Sequence, residues 1–490
     1  MSGALRRIAV VGGGISGLSA AFYARKLSRE RGIAADITLF EESPQLGGKI
    51  QTLHRDDCVI ERGPDSFLTR KLPILELTRE LGIEDELVAI NPQAKSFILR
   101  KGKLHRMPQG LVLGIPTQIM PFARTALISP IGKARAAMDL VLPRGTGGDE
   151  ALGSFLQRRL GREVLEHIIE PLLAGIYAGD TQKLSLQATF PQFGKLEQQY
   201  GSLILGMLRN KQLQNRTASQ AQHAQSPLPP ALSQAVFLTY KRGLSTLIDA
   251  LTDNLQNLQD CRIVRGVSVR EIAQAEDAGI LVHTSEGDAS LFDAVIVAVP
   301  NYSAVTLLSG ISGVDTSLID IPYASVANVV LAYRSEDAAS KMNGSGFLVP
   351  RDEGLTITAC TWTSVKWLHT APEHLALVRC YIGRQGDDRG VTLSEEELIN
   401  RVRADLKTTM NVTAEPVFTE TTRWRASMPQ YPVGHLDRLR LFRKQLGQAL
   451  PGSAVAGAGY LGVGIPDCIA QGKQAAQDII AFLSRGHHDT

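Results

Sequence analysis

Two stretches of this 490-residue chain gather enough glycine to press main chain against a ligand. The first is Gly12-Gly13-Gly14-Ile15-Ser16-Gly17. In its GxGxxG spacing Gly12 makes a tight turn, Gly14 lets backbone approach a pyrophosphate, and Gly17 lets a helix pack on a strand. The second is GAGYLGVGIPDCI, Gly457 to Ile469, with four glycines in eight residues. Anions bind where free N–H groups and the positive end of a helix dipole coincide, and a helical pattern follows each stretch. Other chemistry has little support. The ten histidines show no metal-ligand spacing: His105, His167 and His283 are isolated, and His487-His488 stands in the tail. Cys58, Cys261, Cys360, Cys380 and Cys468 form no CxxC pair, which fits buried reduced thiols rather than a disulfide framework or a zinc site.

The elements around the first stretch sit where a dinucleotide needs them. Ile8-Ala9-Val10-Val11 reads as a short buried strand, and Leu18 to Ala24 begins a helix. A second strand, Ile37 to Phe40, runs into Glu41-Glu42, where a carboxylate can accept hydrogen bonds from a ribose. Glu41, the first position past that strand, is the preferred acceptor. Hydrophobic residues make up 44% and charged residues 21%, an ordinary globular composition, and the length suggests two or three domains. The net charge of +3, with no Lys/Arg run, gives no case for nucleic acid. No uninterrupted apolar run reaches the roughly 18 residues that spanning a bilayer takes. The nearest, from Met107 to Ile128, is broken by Pro108, Pro116 and Pro121, and reads as a membrane-surface segment or a pocket lining.

Farther along, residues 74–205 read as mostly helical. Leu75, Leu77, Leu81 and Leu87 mark a short amphipathic segment, and Leu152, Phe155, Leu156, Leu160, Val164 and Ile168 a longer one. Phe97 to Leu104 reads as a hairpin turning at Lys101-Gly102, and the polar residues 209–230 as a loop or linker. Cys261 to Val269 reads as a strand with its turn, and Leu291 to Pro300 as one buried strand. Ala327 to Tyr333, Leu377 to Ile382 and Pro416 to Trp424 read as strands of a second sheet. Ala454 to Ala456 leads into the second glycine stretch, after which Pro466 suits the first turn of a helix.

Ser43 to Ile50 adds Gly47-Gly48 followed by Lys49. With GxGxxG and the acid, this arrangement resembles the flavin-dependent oxidases of the amine oxidase and protoporphyrinogen oxidase superfamily, whose members often carry Arg where this chain has Gln45. ERGPDSFLTRK, Glu61 to Lys71, and the run Gly148 to Asp180 resemble more narrowly the porphyrinogen oxidase branch of Gram-positive bacteria. The likeness extends from near residue 6 to about residue 480.

The resemblance implies an α/β fold with a Rossmann-like FAD-binding domain discontinuous in sequence (1–73, 231–300 and 426–490). It adds a mixed-sheet substrate domain (74–93, 182–230 and 301–425) and a helical domain (94–181), a candidate membrane-surface region. Cofactor contacts are implied from Gly12, Gly13, Gly14, Ile15, Ser16, Gly17, Glu41, Glu42, Gly48, Lys49, Gly63, Pro64, Asp65, Ser66, Val267, Trp424, Tyr460, Gly464 and Ile465. The implied reaction is FAD-dependent oxidation of a porphyrinogen by molecular oxygen with release of hydrogen peroxide, coproporphyrinogen III ahead of protoporphyrinogen IX. The flavin N5 takes the hydride, so no metal, catalytic cysteine or Ser/His/Asp triad is expected. Arg70 and Lys71 are candidates for the substrate's propionates. Arg100, Lys101, Lys103 and Arg106 form a basic cluster that is either a charged hairpin tip or a means of steering an anionic substrate or lipid. A cytoplasmic location, with peripheral membrane contact and ferrochelatase or another heme-pathway enzyme as partner, completes the expectation. Two other classes stay open. Amine oxidases commonly carry Gly-Glu where this chain has Ala458 and Gly459-Tyr460. Rab-escort and GDP-dissociation-inhibitor proteins share the fold without FAD chemistry, and eroded flavin contacts are expected of them, whereas the glycines and Glu41 are intact here.

Overall fold

The computed structural model describes residues 5–220, 228, 230–256, 259–276 and 279–485. Runs such as Ile8–Val11 and Ala294–Val297 are apolar at every position, which suits strands covered on both faces. They form the centre of a five-stranded parallel sheet, in the order Cys261–Arg265, Ala35–Glu41, Arg6–Val11, Ala294–Val297, Ser453–Val455. Ile8 pairs with Ile37 on one side and with Ala294 on the other. The strand order reverses between Arg6–Val11 and Ala294–Val297, and open α/β sheets bind ligands beyond the carboxyl ends of strands at such a reversal. The chain leaves this sheet after Glu41 and again after Val297, and returns both times. The helices Ile15–Glu30 and Ile465–Arg485 pack against each other beside it. Gly472 permits their closeness, since a Cβ there would stand 2.4 Å from the Ser16 carbonyl oxygen.

A second sheet has seven strands, ordered Phe418–Pro429, Tyr323–Arg334, Leu375–Ile382, Ile357–Trp362, Gly346–Leu348, Ser96–Arg100, Lys103–Arg106. The hairpin turning at Lys101 and Gly102 is present. Its first strand runs parallel to Gly346–Leu348, so residues 96–106, grouped with the helices from sequence, form an edge of this sheet. The helices between residues 119 and 220 enclose a separate core in which Leu152, Phe155, Leu156, Leu160, Val164 and Ile168 are all inaccessible to solvent.

Several expected elements change. The helix of that last stripe stops at Leu160, where Gly161 takes φ +87°, and resumes from Arg162 to Tyr177 with a π turn over Leu165–Ile169. Leu87 lies in the strand Leu87–Ala89, because the helix Leu72–Glu80 ends against Gly82 at φ +69°. Short strands also interrupt the stretch 87–116. Leu291–Pro300 holds parts of two strands, Ala289–Phe292 and Ala294–Val297. Asp293 divides them, accepting the Arg7 N–H at 2.7 Å and pairing with Arg6 at 3.0 Å. The polar segment from 209 is helical to the end of Leu203–Gln220, since Gln, Lys and Arg are good helix formers whatever their polarity. Residues 221–227 and 229 of that segment lie outside the described residues, as do His487 and His488. The five cysteines are buried and unbridged.

Candidate cofactor and substrate site

The first glycine loop turns at the carboxyl end of the central strand. A Cβ on Gly12 (φ +108°) would lie 2.7 Å from the Ala298 carbonyl oxygen, and one on Gly17 would lie 1.8 Å from that of Gly12. Above Gly14 no protein atom lies within 4 Å. The helix Ile15–Glu30 begins there with no side-chain cap, leaving its first N–H groups to a ligand. Glu41 is the last residue of its strand rather than the first beyond it. Its carboxylate accepts the N–H groups of Gly13 (2.6 Å) and Ser43 (2.8 Å), with lone pairs left for a ribose. Its carbonyl takes the N–H of buried Val267 at 3.1 Å, so these two sequence candidates do meet. Glu42 is exposed.

The second GG packs directly on the first loop. Gly47 bridges Gly14 and donates to the Gly13 carbonyl at 2.9 Å. Lys49 follows; burial holds its ammonium below the usual lysine range, and it forms no ion pair with any described residue. A Cβ on Gly63 would fall 1.8 Å from the Lys49 carbonyl oxygen, so the Gly63-Pro64 turn lies against the same backbone.

The late glycine loop closes onto Ser16 as well. The Cys468 thiol, pushed up to about 11 by burial, hydrogen-bonds Ser16, and a Cβ on Gly457 would face Ser16 Oγ at 3.9 Å. Asn301, fully buried, fixes the loop's middle. Its Nδ2 donates to the carbonyls of Gly459 (3.2 Å) and Ile319 (3.0 Å), while the Tyr323 hydroxyl donates to its Oδ1 at 2.9 Å. The Tyr431 hydroxyl donates to the Ala458 carbonyl, and His435 Nε2 donates to that of Tyr460 at 2.8 Å. Gly464 and Ile465 open the closing helix, with Pro466 in its first turn as expected.

The segment Glu61–Ser66 is held mainly by the second sheet. The Arg62 carbonyl accepts Asn328 Nδ2 and Trp424 Nε1, both at 2.8 Å, and the Gly63 carbonyl accepts Arg379 Nη2 at 2.6 Å. Burial raises the Asp65 carboxyl, but Lys366 at 2.6 Å and then Arg379 outweigh it and hold the group at about 2. Asp65 and Ser66 are thus committed to each other and to Lys366 rather than left free. Burial pushes Glu61 up to about 7 despite hydrogen bonds from Leu244 N (2.6 Å) and Thr52 Oγ1 (3.0 Å). Sequence reasoning missed Asn301, Lys366 and Arg379. Arg379 left one signal, a lone charge within the apolar strand Leu375–Ile382.

The two proposed propionate anchors part company. Lys71 is tied to Asp467, in the first turn of the closing helix, at 2.6 Å, and Arg70 is exposed. In the basic cluster Arg100 is already paired with Asp352. No group of acidic, His and Cys side chains among the described residues could hold a metal, and none of their helices is long and apolar enough to cross a membrane.

The open space above Gly14, the uncapped helix start and the carboxylate at the strand end fit a dinucleotide. The profile of the flavin-containing amine oxidoreductases matches residues 15–480. The chain belongs to that family. This family member is an FAD-dependent oxidoreductase. It is 44% identical to the coproporphyrinogen III oxidase of Bacillus subtilis, over 99% of this chain and the whole of that one. It is 39% identical to the Staphylococcus aureus enzyme of the same name, over 98% and 100%. A crystal structure from Exiguobacterium, assigned as a protoporphyrinogen oxidase, superposes with a TM-score of 0.83 at 34% identity, covering 97% of this chain and 99% of that one.

Proposed function

We propose that this flavoprotein oxidises coproporphyrinogen III to coproporphyrin III in heme biosynthesis, with molecular oxygen as acceptor and hydrogen peroxide as product. The observation that carries the reading is end-to-end correspondence with two coproporphyrinogen III oxidases, at 44% and 39% identity. Protoporphyrinogen IX is the second reading, favoured by the Exiguobacterium relative.

FAD supplies the hydride acceptor when bound, so the chain's task is to hold, orient and shield. Gly12 to Gly17 and the first turn after them take the pyrophosphate, and Glu41 takes the ribose beside Val267. Lys49, unpaired beside Cys468, faces a negative group of the cofactor. The loop Gly457–Gly464 and the N-terminus of the closing helix lie at the flavin's end, where reduction places negative charge. Gly48, Gly63, Pro64, Trp424, Tyr460, Gly464 and Ile465 complete the cofactor's surroundings. The segments 1–73, 231–300 and 426–490 form the FAD-binding domain in this reading, and the second sheet covers the substrate.

Apolar side chains exposed on the helical unit, among them Ile119, Met120, Ile131 and Val141, together with exposed Arg124, suit peripheral contact with an anionic membrane face from the cytoplasm. A heme-pathway partner such as ferrochelatase would take the product. Parallel turnover of both porphyrinogens, followed by porphyrin fluorescence, tests the substrate. The coproporphyrinogen rate is expected to dominate, and its absence alongside rapid protoporphyrinogen turnover would overturn the choice.

A further inference from the structure

Contacts lead from the closing helix to a cationic cleft. Asp467, in that helix's first turn, pairs with Lys71 and, after burial, helps push the Tyr177 hydroxyl up. One residue beyond Tyr177, the Ala178 carbonyl accepts the Gln385 N–H at 2.7 Å. Gln385 follows Arg384, which lines an open cleft of about 560 Å³ with Arg351, Asp387, Asp388, Arg389 and Thr392. The cleft opens where the helical unit, which supplies Glu170 and Gly179 to Arg351, meets loops of the second sheet.

Its charges are unevenly matched. Arg351 Nε sits on Glu170 at 2.6 Å. Arg389 grips Asp387 through two hydrogen bonds, at 2.8 and 2.7 Å. Asp388 is exposed. Arg384 is only 7% exposed, yet its guanidinium makes no hydrogen bond or ion pair with any described residue. Burial, and then Arg351, hold it below the ordinary arginine range, with Asp387 and Glu170 opposing. Its donors face the open cleft, so an anion can reach them without displacing an existing partner. The partner that fits is a carboxylate entering the cleft, because a planar fork of donors meets two carboxylate oxygens at once.

We propose that Arg384, with Arg351 beside it, binds a carboxylate side arm of the substrate. The inference rests on the porphyrinogen reading and deepens it: coproporphyrinogen carries more propionates than protoporphyrinogen, and Lys71 is already engaged by Asp467. The FAD-loaded enzyme and its Arg384→Gln and Arg384→Lys variants are compared on both porphyrinogens, with flavin absorbance reporting the fold. Binding of coproporphyrin III and of its tetramethyl ester is followed by fluorescence quenching. Arg384→Gln is expected to raise KM for coproporphyrinogen about tenfold or more, since a charged hydrogen bond is lost, with a smaller rise for protoporphyrinogen. It is also expected to lose the wild type's preference for the free acid over the ester, and Arg384→Lys to recover part of both. An unchanged KM and an unchanged preference in flavin-loaded Arg384→Gln overturn the site. If that variant loses flavin, Arg351→Gln is judged by the same two readouts. If the wild type fails to oxidise coproporphyrinogen, the functional reading falls, and the acid–ester comparison alone decides the site.

Discussion

The glycine-rich end of this molecule and the Arg384 cleft are built by opposite means. At the cofactor end the chain presses backbone on backbone: Gly12, Gly17 and Gly63 each leave no room for a Cβ, while a Cβ on Gly14 would meet nothing within 4 Å. At the cleft where the helical unit meets the second sheet, side chains from distant segments surround Arg384, whose guanidinium pairs with no described residue. Arg159 shows what a purely structural arginine looks like in the same molecule. It is wholly buried, pairs with Asp139 at 2.5 Å, and donates to the carbonyls of Asp139, Gly201 and Pro143.

The largest expected effect breaks the cofactor end. Gly17→Val would drive carbons into the Gly12 carbonyl and is expected to yield protein without bound flavin, read from the absorbance of the purified sample. Next, Asp139→Ala would leave buried Arg159 with only the more distant Glu197 carboxylate, 3.4 Å away, at a cost of about 3–5 kcal/mol in unfolding free energy by denaturant titration. Arg384→Gln should cost far less by the same titration, and a comparable loss would erase the distinction between the two arginines. Asn301→Ala removes the hydrogen bonds that fix Gly459, and about 1–3 kcal/mol is expected to be lost, together with slower reconstitution by FAD. Unaltered reconstitution would mean that the late glycine loop stands without it.

The smallest effect is a pH dependence. Glu61 titrates near 7 in the folded protein, above the ordinary glutamate value of 4.5. A raised carboxyl pKa stabilises the fold at low pH, and that contribution fades as pH rises through 7. Wild-type Tm should therefore fall more than that of Glu61→Gln between about pH 5 and about pH 8. Parallel curves would show that Glu61 is ionised throughout.

What was legible in the sequence follows the same division. The parallel sheet shows because strands covered on both faces must be apolar throughout, as in Ala294–Val297. The glycine loops show because only glycine tolerates those approaches, and Gly47-Gly48 meets Gly14 as the spacing implies. Asn301 did not show: its role depends on Ile319, Tyr323 and Gly459, and Gly459 lies 158 residues away. Arg384 sits among residues that read as an ordinary polar turn, and only the fold shows that it lines a cleft without pairing with a described residue. Lys71 lies near the closing helix, but its pairing with Asp467 replaces the free cation that the sequence suggested.

If the two glycine loops hold a flavin, a porphyrinogen should reduce it. The direct test is anaerobic mixing of the FAD-loaded protein with coproporphyrinogen III while the flavin's visible band is recorded. The band should bleach, and should return with release of hydrogen peroxide when oxygen is admitted, whereas putrescine leaves it unchanged. A band that persists with coproporphyrinogen and bleaches with the amine would instead mark an amine oxidase.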